Sequence, residues 1–303
     1  GELSENADNF RTWIPIGSPY MIFTGTFDGN NKTISGLYCV DSRHNAYAGL
    51  FGESEGAVYN LGIEDSYFAS QYNAGSVAAH NNGTVSNCYS HSFVKGSNGV
   101  GGIAGINDGT IENSYNVGKV RGNDANSAYI GAVAGQNSGA LTNNYYLSGR
   151  AVDGLKAIQD GVGSGTPGIT TFDADSKTIS ASYDNFASGQ ICCSLQEANE
   201  NDVWGQDLKT DDSDTEYDAY PVLGGPKVYA SSPCKGQCSN EPIEGNVAHS
   251  FNDGICSFCG AYASVQANEN GIYEIHNAGE LYSFAELVNS GNSDVNGKLV
   301  SDI

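Results

Sequence analysis

The chain has 303 residues, of which 35 are acidic and 13 are basic, so its formal net charge at pH 7 is -22. A charge of this sign repels phosphate backbones and anionic lipid surfaces, which argues against nucleic-acid binding and membrane docking. With 40 glycines, only 16% charged residues and no long apolar run, the composition predicts no membrane insertion and favours several modules or one elongated repeat.

The first predicted elements are short strands in an internal repeat. Four segments contain an apolar strand, a glycine and a second strand that ends in Asn: residues 49–60, 75–87, 102–113 and 132–143. The glycines before the second strands, Gly56, Gly83, Gly109 and Gly139, are 27, 26 and 30 residues apart, and a fainter copy precedes them at 32–37. Because one copy cannot bury its own apolar face, we expect the copies to stack.

Apolar residues recur at fixed places in the repeat and form two columns. The first column is Leu50, Val77, Ile103 and Val133, and the second is Ile34, Val58, Val85, Ile111 and Leu141. The residues between them alternate small and polar, which is typical of half-buried strands. We therefore predict a mostly β protein built as a β-solenoid, with coils of about 26 residues.

An asparagine follows the second strand of every copy. The four residues are Asn60, Asn87, Asn113 and Asn143. Stacked amide side chains can bond from coil to coil, so we interpret the column as a structural ladder at a turn. A row of polar ligand groups is the functional alternative.

The repeat and its lead-in resemble a known family. The lead-in consists of Trp13-Ile14-Pro15-Ile16-Gly17, residues 23–30 (FTGTFDGN) and residues 33–37 (TISGL). Together with the repeat, which extends to about residue 147, it is similar to the GLUG-motif repeats of large bacterial surface proteins. These include the N-terminal regions of IgA-specific metallopeptidases and adhesin-like proteins of anaerobic gut bacteria. The resemblance implies a right-handed parallel β-helix and an extracellular, cell-surface location.

The resemblance does not imply peptidase activity. That activity requires a His-Glu-x-x-His zinc helix, and none of His44, His80, His91, His249 or His276 lies in such a motif. No phosphate loop or nucleophile elbow is visible either, so we expect a protein that is not an enzyme and has no catalytic or cofactor-binding residues.

Four regions follow from the pattern. Residues 1–149 are the solenoid, 150–230 an irregular loop and strand-rich segment that covers the end of the solenoid, 231–265 a Cys/His-rich module, and 266–303 a helix and a strand. In the covering segment, the strands are expected around Phe186–Gln190, Trp204–Gln206, Tyr220–Leu223 and Val228–Tyr229. An uncovered terminal coil would expose a sheet edge.

The last region predicts assembly. Asn277 can cap a helix that extends to about Asn289, and residues 297–303 favour a strand. In the resembling family, a helix and strand of this kind begin a solenoid unit, so the chain end matches what would precede its own start. Three explanations remain open: one period of a tandem polymer, a subunit that donates its helix and strand to the next copy, or an arbitrary fragment. The candidate assembly residues are Leu281, Phe284, Val288, Leu299 and Ile303.

The eight cysteines fall into two groups. Cys234, Cys238, Cys256 and Cys259 have C-x3-C and C-x2-C spacing with His249 between them, which suits either a structural zinc site, with His249 as an optional ligand, or two disulfides. Cys39 and Cys88 are expected to be buried apolar residues of the solenoid. For Cys192-Cys193, a vicinal disulfide and a single inward-facing thiol both remain open.

Other candidate sites carry less weight. The acidic residues Asp211, Asp212, Asp214, Glu216 and Asp218 lack EF-hand spacing, so calcium binding is not expected and a solvated loop is favoured. Asn31 and Asn82 begin glycosylation sequons, and Asn82, in a predicted turn, is the one expected to be better exposed.

These patterns favour an extracellular structural and adhesive protein that forms one unit of a head-to-tail filament, with copies of itself as partner. The first alternative is an adhesin module for glycans or host receptors with tyrosines as its platform. The candidates are Tyr67, Tyr72, Tyr89, Tyr115, Tyr145 and Tyr146, for most of which a core position is favoured. The second alternative is a polysaccharide-active enzyme on a β-helix, and the scattered carboxylates give it little support.

Overall fold

The computed structural model describes residues 11–41, 47–123, 127–148, 151–152, 157–158, 178–199, 203–209, 217–234, 237–257 and 261–303. The fold is a β-solenoid followed by two short helices, small sheets and a C-terminal helix. The solenoid strands are β1 (Thr26–Ser35), β2 (Tyr38–Asp41), β3 (Tyr47–Ala48), β4 (Phe51–Ser54), β5 (Ala57–Ser70), β6 (Asn73–Gly75), β7 (Ala78–Asn81), β8 (Thr84–Gly96), β9 (Val100–Gly101), β10 (Ala104–Asn107), β11 (Thr110–Glu112), β12 (Tyr115–Asn116), β13 (Val120–Gly122), β14 (Ile130–Gly131), β15 (Ala134–Asn137), β16 (Ala140–Thr142), β17 (Asn144–Leu147), β18 (Ala151–Val152), β19 (Ala157–Ile158) and β20 (Thr178–Ala181).

The remaining elements are short. They are α1 (Tyr183–Ala187), α2 (Gln190–Glu197), β21 (Trp204–Gly205), β22 (Val222–Leu223), β23 (Tyr229–Ala230), β24 (Ser232–Pro233), β25 (Cys238–Ser239), β26 (Asn246–Val247), β27 (Phe251–Asn252), β28 (Ile255–Cys256), β29 (Ile272–Ile275), α3 (Ala278–Asn289) and β30 (Asn296–Leu299). No helix among the described residues has the length and apolar character needed to cross a lipid bilayer.

Three stacked sheets form the walls of the solenoid. One wall has the order β15-β10-β7-β4, a second has the order β14-β9-β6-β3, and the third is a wide sheet that contains β1, β2, β5, β8, the strands β11 to β13 and β16 to β20. Each coil therefore contributes a strand to every wall in turn. The pairs between coils are parallel, and only the β18–β19 pair of the wide sheet is antiparallel. The predicted β-solenoid is confirmed.

The register between coils matches the spacing of the sequence repeat. Ala57 pairs with Thr84, Thr84 with Thr110 and Thr110 with Ala140, so the coils advance by 27, 26 and 30 residues. The apolar columns also align, except that Phe27 and not Ile34 pairs with Val58. A register shift between Asp28 and Lys32 moves Ile34 into line with Ile63. The repeat pattern therefore placed Ile34 in the wrong column: Phe27 is the residue of the first copy that belongs with Val58.

The interior of the solenoid is a continuous apolar core. Leu50, Val77, Ile103 and Val133 are each at most 2% exposed, and the second column, from Val58 to Leu141, is at most 3% exposed. Cys39 and Cys88 lie in this core, 1% and 0% exposed, as the sequence predicted. Burial raises the pKa of the Cys39 thiol to about 11 and that of Cys88 to about 12, so both are inert apolar side chains.

The repeated glycines allow the coils to approach each other closely at one corner. A Cβ atom on Gly83 would overlap the carbonyl oxygen of Gly56, and one on Gly109 would overlap that of Gly83. No side chain fits between stacked backbones at this corner. The spacing of these glycines in the sequence therefore equals the number of residues in each coil.

The predicted asparagine ladder is present at a corner of the wide sheet. Asn60, Asn87, Asn113 and Asn143 all have φ between 48° and 55°, a left-handed conformation that asparagine tolerates better than most residues. Asn87 Nδ2 donates to Asn60 Oδ1 at 3.3 Å, and Asn143 Nδ2 donates to Asn113 Oδ1 at 2.9 Å. The column is structural, as predicted, but it bonds two of its three steps, since Asn87 Oδ1 has no hydrogen-bond partner among the described residues.

A second ladder was not predicted. Asn81 Nδ2 donates to Asn107 Oδ1 and Asn107 Nδ2 to Asn137 Oδ1, both at 2.7 Å. Each of these asparagines stands two residues before a repeat glycine, and each also donates to the carbonyl of that glycine. This Asn-x-Gly spacing was visible in the sequence and is the signal that could have identified the ladder.

Within the described residues, the segment after the solenoid adds β20 to the last coil by pairing with β17, and the part that follows packs along the side of the wide sheet. Tyr89, Tyr115 and Tyr145 form one column on the outer face of the wide sheet, because side chains alternate between the two faces of a strand. Phe186 and Trp204 pack on this column, each with its ring centroid 5.5 Å from that of Tyr115. The result is a second apolar core outside the solenoid.

The same segment is helical where strands were expected. Ser182 caps α1 in a capping box with Asn185, and Gly189, with φ 82°, separates α1 from α2. In α2, Ile191, Cys192 and Leu195 are buried at helical spacing. The expected strands at Trp204, Val222 and Tyr229 are present but only two residues long each. Residues 153–156 and 159–177 of the expected loop lie outside the described part of the chain.

Candidate functional site

Three side chains with metal-ligand chemistry meet in the Cys/His-rich module: Cys234, His249 and Cys256. Cys234 directly follows β24, which pairs with β26 in parallel. Cys234 therefore lies beside the segment that connects β26 to His249. The β27–β28 hairpin then pairs Phe251 with Cys256 and returns Cys256 toward His249. Asp253 and Gly254 occupy the turn with φ of 49° and 73°, a conformation that suits a two-residue Asp-Gly hairpin.

The three ligand atoms are close enough to share one metal ion. One ligand atom from each side chain lies within 4.8 Å of the others, and the two sulfur atoms are 3.7 Å apart. Both cysteines are buried, 0% and 2% exposed, whereas His249 is half-buried. We call this set the Cys2His cluster.

The third described cysteine of the predicted site, Cys238, lies elsewhere. The β23–β25 hairpin carries Cys238 toward α2, where its Sγ lies 3.5 Å from Cys193 Sγ. The hydrogen bond from Cys193 lowers the pKa of the Cys238 thiol. The sequence therefore grouped Cys238 with the wrong partners, because C-x3-C spacing does not reveal that a hairpin separates the two residues. Cys259 lies outside the described residues.

The two neighbouring cysteines of α2 have different surroundings. Cys192 is 0% exposed, and burial raises the pKa of its thiol. Cys193, 7% exposed, contacts Cys238. Both side chains face inward, which neither of the two sequence-based alternatives anticipated.

The Cys/His-rich module is attached to the C-terminal helix. The tip of the β27–β28 hairpin contacts the first turn of α3, where Gly279 N donates to Asp253 O at 3.1 Å. A Cβ atom on Gly279 would overlap the carbonyl of Gly254. The two segments thus meet through backbone atoms.

The C-terminal helix and strand form a small β-α-β unit. Asn277 caps α3 by accepting from Glu280 N at 2.9 Å, and α3 ends at Asn289, as predicted. β30 pairs with β29 in parallel but ends at Leu299, so the expected strand to residue 303 is shorter. We call this unit, residues 272–303, the C-terminal βαβ unit.

The βαβ unit exposes an apolar face. Leu281 is 42%, Leu299 59% and Ile303 52% exposed, and together with Val300 they line an open groove of about 720 Å³. Of the other two predicted assembly residues, Phe284 is half-buried over Gly297 and Tyr273, and Val288 is half-buried. Phe284 therefore stabilises the unit itself and is not part of its exposed face.

The opposite part of the chain, before the first coil, is also apolar at its surface. Ile14, Tyr20 and Met21 are 82%, 96% and 79% exposed. Trp13 anchors this segment, since its Nε1 donates to Leu50 O at 3.3 Å. We call Ile14, Tyr20 and Met21 the N-terminal patch.

The candidate tyrosines do not form an exposed platform. Tyr67, Tyr89, Tyr115, Tyr145 and Tyr146 are at most 4% exposed, and Tyr72 is half-buried. The rings of Tyr89 and Tyr115 stack with centroids 5.3 Å apart, and Tyr38 stacks on Tyr67 at 5.6 Å. The favoured core position of these tyrosines is confirmed.

His91 belongs to a polar network between the solenoid and the segment packed along its side, the described residues of 182–230, which we call the lateral segment. Its Nε2 lies 3.0 Å from Tyr115 Oη, which donates to Pro221 O, and its ring packs against Tyr220 at 5.1 Å. Burial lowers the pKa of His91 to about 4, so the ring is neutral at pH 7. Nearby, Tyr89 Oη donates to Glu64 Oε1 at 2.8 Å.

The remaining candidate residues are placed as follows. Asn31 is exposed, whereas Asn82 is half-buried and donates to Glu53 Oε1 at 3.1 Å, so Asn31 is the better exposed sequon and the sequence-based preference was wrong. Asp218 accepts from Asp207 N at 2.8 Å. The other four residues of the acidic run lie outside the described residues.

Comparison with known proteins assigns no family to the chain. No family model matches the chain. No curated protein matches either. Among solved structures, a "putative immunoglobulin A1 protease" from Bacteroides ovatus is similar over 72% of this chain and 82% of its own length, with 15% identity and a TM-score of 0.42. A likeness of this extent is no evidence for a shared activity.

Proposed function

We propose that the protein is an extracellular structural unit that assembles head-to-tail, with the C-terminal βαβ unit of one copy covering the N-terminal patch of the next. The observation that carries this proposal is the distribution of exposed apolar side chains. Within the described residues 47–148 no large apolar side chain is exposed, whereas the N-terminal patch and the βαβ unit expose eight: Ile14, Tyr20, Met21, Leu281, Tyr282, Leu299, Val300 and Ile303.

Two apolar surfaces on one chain favour a second copy as the occupant. A head-to-tail contact between different surfaces generates a closed ring if the rotation between copies closes and a filament if it does not; we propose the filament. Open strand edges are available at both places: β1 pairs only with β5, and β30 only with β29, among the described residues. Pairing along such an edge would add main-chain hydrogen bonds to the apolar contact.

The solenoid suits a shaft. Stacked coils form a long, stiff structure because each coil contacts its neighbours through continuous parallel sheets. The net charge of -22 would keep neighbouring shafts apart in solution. The resemblance to surface-protein repeats supports an extracellular location on a bacterial cell.

The role that we propose is not enzymatic. The described histidines are engaged in structure: His80 contacts Glu53 and Asp108, His91 contacts Tyr115 Oη, and His276 bonds Glu280. His249 stands beside two cysteines that are almost fully buried, which leaves no room for substrate at either sulfur.

Light scattering and negative-stain electron microscopy of the purified chain test the assembly. We expect the mass to rise with protein concentration and with salt, since salt screens the repulsion between acidic shafts. Leu299→Asp should leave the chain monomeric, because it places a charge in the apolar contact while the side chain is exposed in the single chain.

Tyr183→Asp is the matched control, since Tyr183 is 46% exposed but lies on α1 and belongs to neither surface. It should assemble as the wild type does. A wild-type chain that stays monomeric at all concentrations and salt levels would overturn the proposal, as would assembly that Leu299→Asp leaves intact.

A further inference from the structure

We infer that the Cys2His cluster is a structural Zn²⁺ site with Cys234, His249 and Cys256 as ligands, and that Cys238 is not a ligand. This assignment is independent of the proposed assembly. The sequence spacing suggested one site with all four cysteines of the module. The structure instead places Cys238 next to Cys193, apart from the Cys2His cluster.

The distance between the two sulfur atoms favours a metal. Two thiolates on one tetrahedral zinc, at about 2.3 Å each, lie roughly 3.8 Å apart. The observed separation of Cys234 Sγ and Cys256 Sγ is 3.7 Å. A disulfide would require a separation of about 2 Å, so the two sulfurs are not bonded to each other.

His249 distinguishes the Cys234–Cys256 pair from the Cys193–Cys238 pair. A ring nitrogen of His249 lies within 4.8 Å of both sulfurs, which allows all three atoms to reach one ion. Cys193 and Cys238 are at a similar separation of 3.5 Å, but no group of three metal-ligating side chains includes them among the described residues. Their contact is a hydrogen bond between sulfurs.

The donor set selects the metal. Thiolate sulfur and imidazole nitrogen suit zinc, whereas calcium and magnesium take oxygen ligands. On binding, each cysteine thiol releases its proton to solvent, and the sulfur lone pair forms the bond to zinc, with no change of oxidation state. Burial of both sulfurs excludes solvent from them and favours a structural ion.

The ion would hold together a region with little apolar core of its own. The strands β24, β26, β27 and β28 are two residues each, and they meet at the cluster. Small domains of this kind commonly depend on a metal for folding. Because the hairpin tip contacts α3, the ion also fixes the attachment of the βαβ unit.

Metal content of the full chain, purified under reducing conditions and dialysed against Zn²⁺, tests the site. We expect one zinc per chain in the wild type and a loss of that zinc in Cys234→Ser and Cys256→Ser. Cys238→Ser is the matched control and should keep one zinc. Equal loss of zinc in Cys238→Ser, or no zinc in the wild type, would overturn the inference.

X-ray absorption of the zinc-loaded wild type avoids variants that fail to fold. We expect sulfur and at least one imidazole nitrogen around the ion. A shell of four sulfurs would exclude His249 and contradict the assignment. Peptide mapping of material purified without reductant provides a further check, since a Cys234–Cys256 disulfide in the folded chain would also contradict it.

Discussion

At the residue scale, the asparagines at the corners of the coils combine two properties. Their backbone conformation is left-handed, which costs most residues energy, and their amides bond to the neighbouring coil. Asn113 shows both, with φ 48° and an acceptor bond from Asn143. The repeat thus selects asparagine by local conformation as well as by stacking.

We predict that Asn113→Ala destabilises the chain by about 1–3 kcal/mol, because alanine fits the left-handed conformation poorly and leaves the Asn143 amide without this acceptor. Asn113→Gly should cost less, since glycine removes only the bond. Urea unfolding followed by circular dichroism measures both. Equal losses for the two variants would show that backbone conformation plays no part.

His91 is a half-buried group that couples stability to pH. Its folded pKa of about 4 lies below the ordinary value of 6.5 because burial disfavours the charged ring. As the pH falls below 6.5, the unfolded chain takes up a proton that the folded chain does not. The contribution of His91 to stability is therefore complete above pH 6.5 and is lost progressively toward pH 4.

We predict that the wild type loses more unfolding free energy between pH 7 and pH 5 than His91→Gln does, by about 2 kcal/mol. Glutamine keeps a polar partner for Tyr115 and cannot titrate in this range. Urea unfolding at the two pH values measures the difference. A pH dependence that is the same in both proteins would place the charged ring in contact with solvent.

At the element scale, the sequence predicted those parts that repeat. Leu50 and its equivalents, the glycines and the Asn60 column recur, so each copy supports the interpretation of the others. The segment from Ser182 to Glu197 occurs once, and its helices were missed although the Ser182 cap and the spacing of Ile191 and Leu195 were visible. Its position along the tyrosine column could not be predicted, because it depends on contacts distant in sequence.

The same limit applies to the cysteines. Spacing alone identified the region and its metal-ligand chemistry, and it suggested His249 as an optional ligand. It could not show that β25 turns Cys238 toward α2, since the partner Cys193 lies 45 residues away. Long-range pairing of this kind is absent from local sequence.

A second prediction at this scale concerns the contact between the Cys/His-rich module and α3. At an unobstructed helical position, Gly→Ala stabilises by roughly 1 kcal/mol. We predict that Gly279→Ala instead destabilises by about 1–3 kcal/mol, because its Cβ would overlap Gly254. Thermal unfolding and limited proteolysis of the C-terminal region measure the effect.

Glu286→Ala, at an exposed position of the same helix, is the control and should stay within about 0.5 kcal/mol of the wild type. If Gly279→Ala were as stable as this control, the backbone contact between the hairpin and α3 would not exist in solution.

At the scale of the whole molecule, the lateral segment covers the side of the solenoid, and the two apolar surfaces are the proposed contacts between copies. The lateral segment covers the tyrosine column, so the described coils expose polar atoms and few large apolar side chains. Of the thirteen exposed large apolar side chains among the described residues, eight lie at the N-terminal patch and on the βαβ unit. Our account of function depends on these two surfaces meeting in separate copies.

Site-specific photo-crosslinking tests that claim most directly. A photoreactive amino acid replaces Leu281, which is exposed in the groove of the βαβ unit, and mass spectrometry of mixed isotope-labelled and unlabelled chains locates the crosslinks between copies. The account predicts crosslinks to residues 13–21 of a second copy. Crosslinks only within one chain, or between two βαβ units, would contradict head-to-tail assembly.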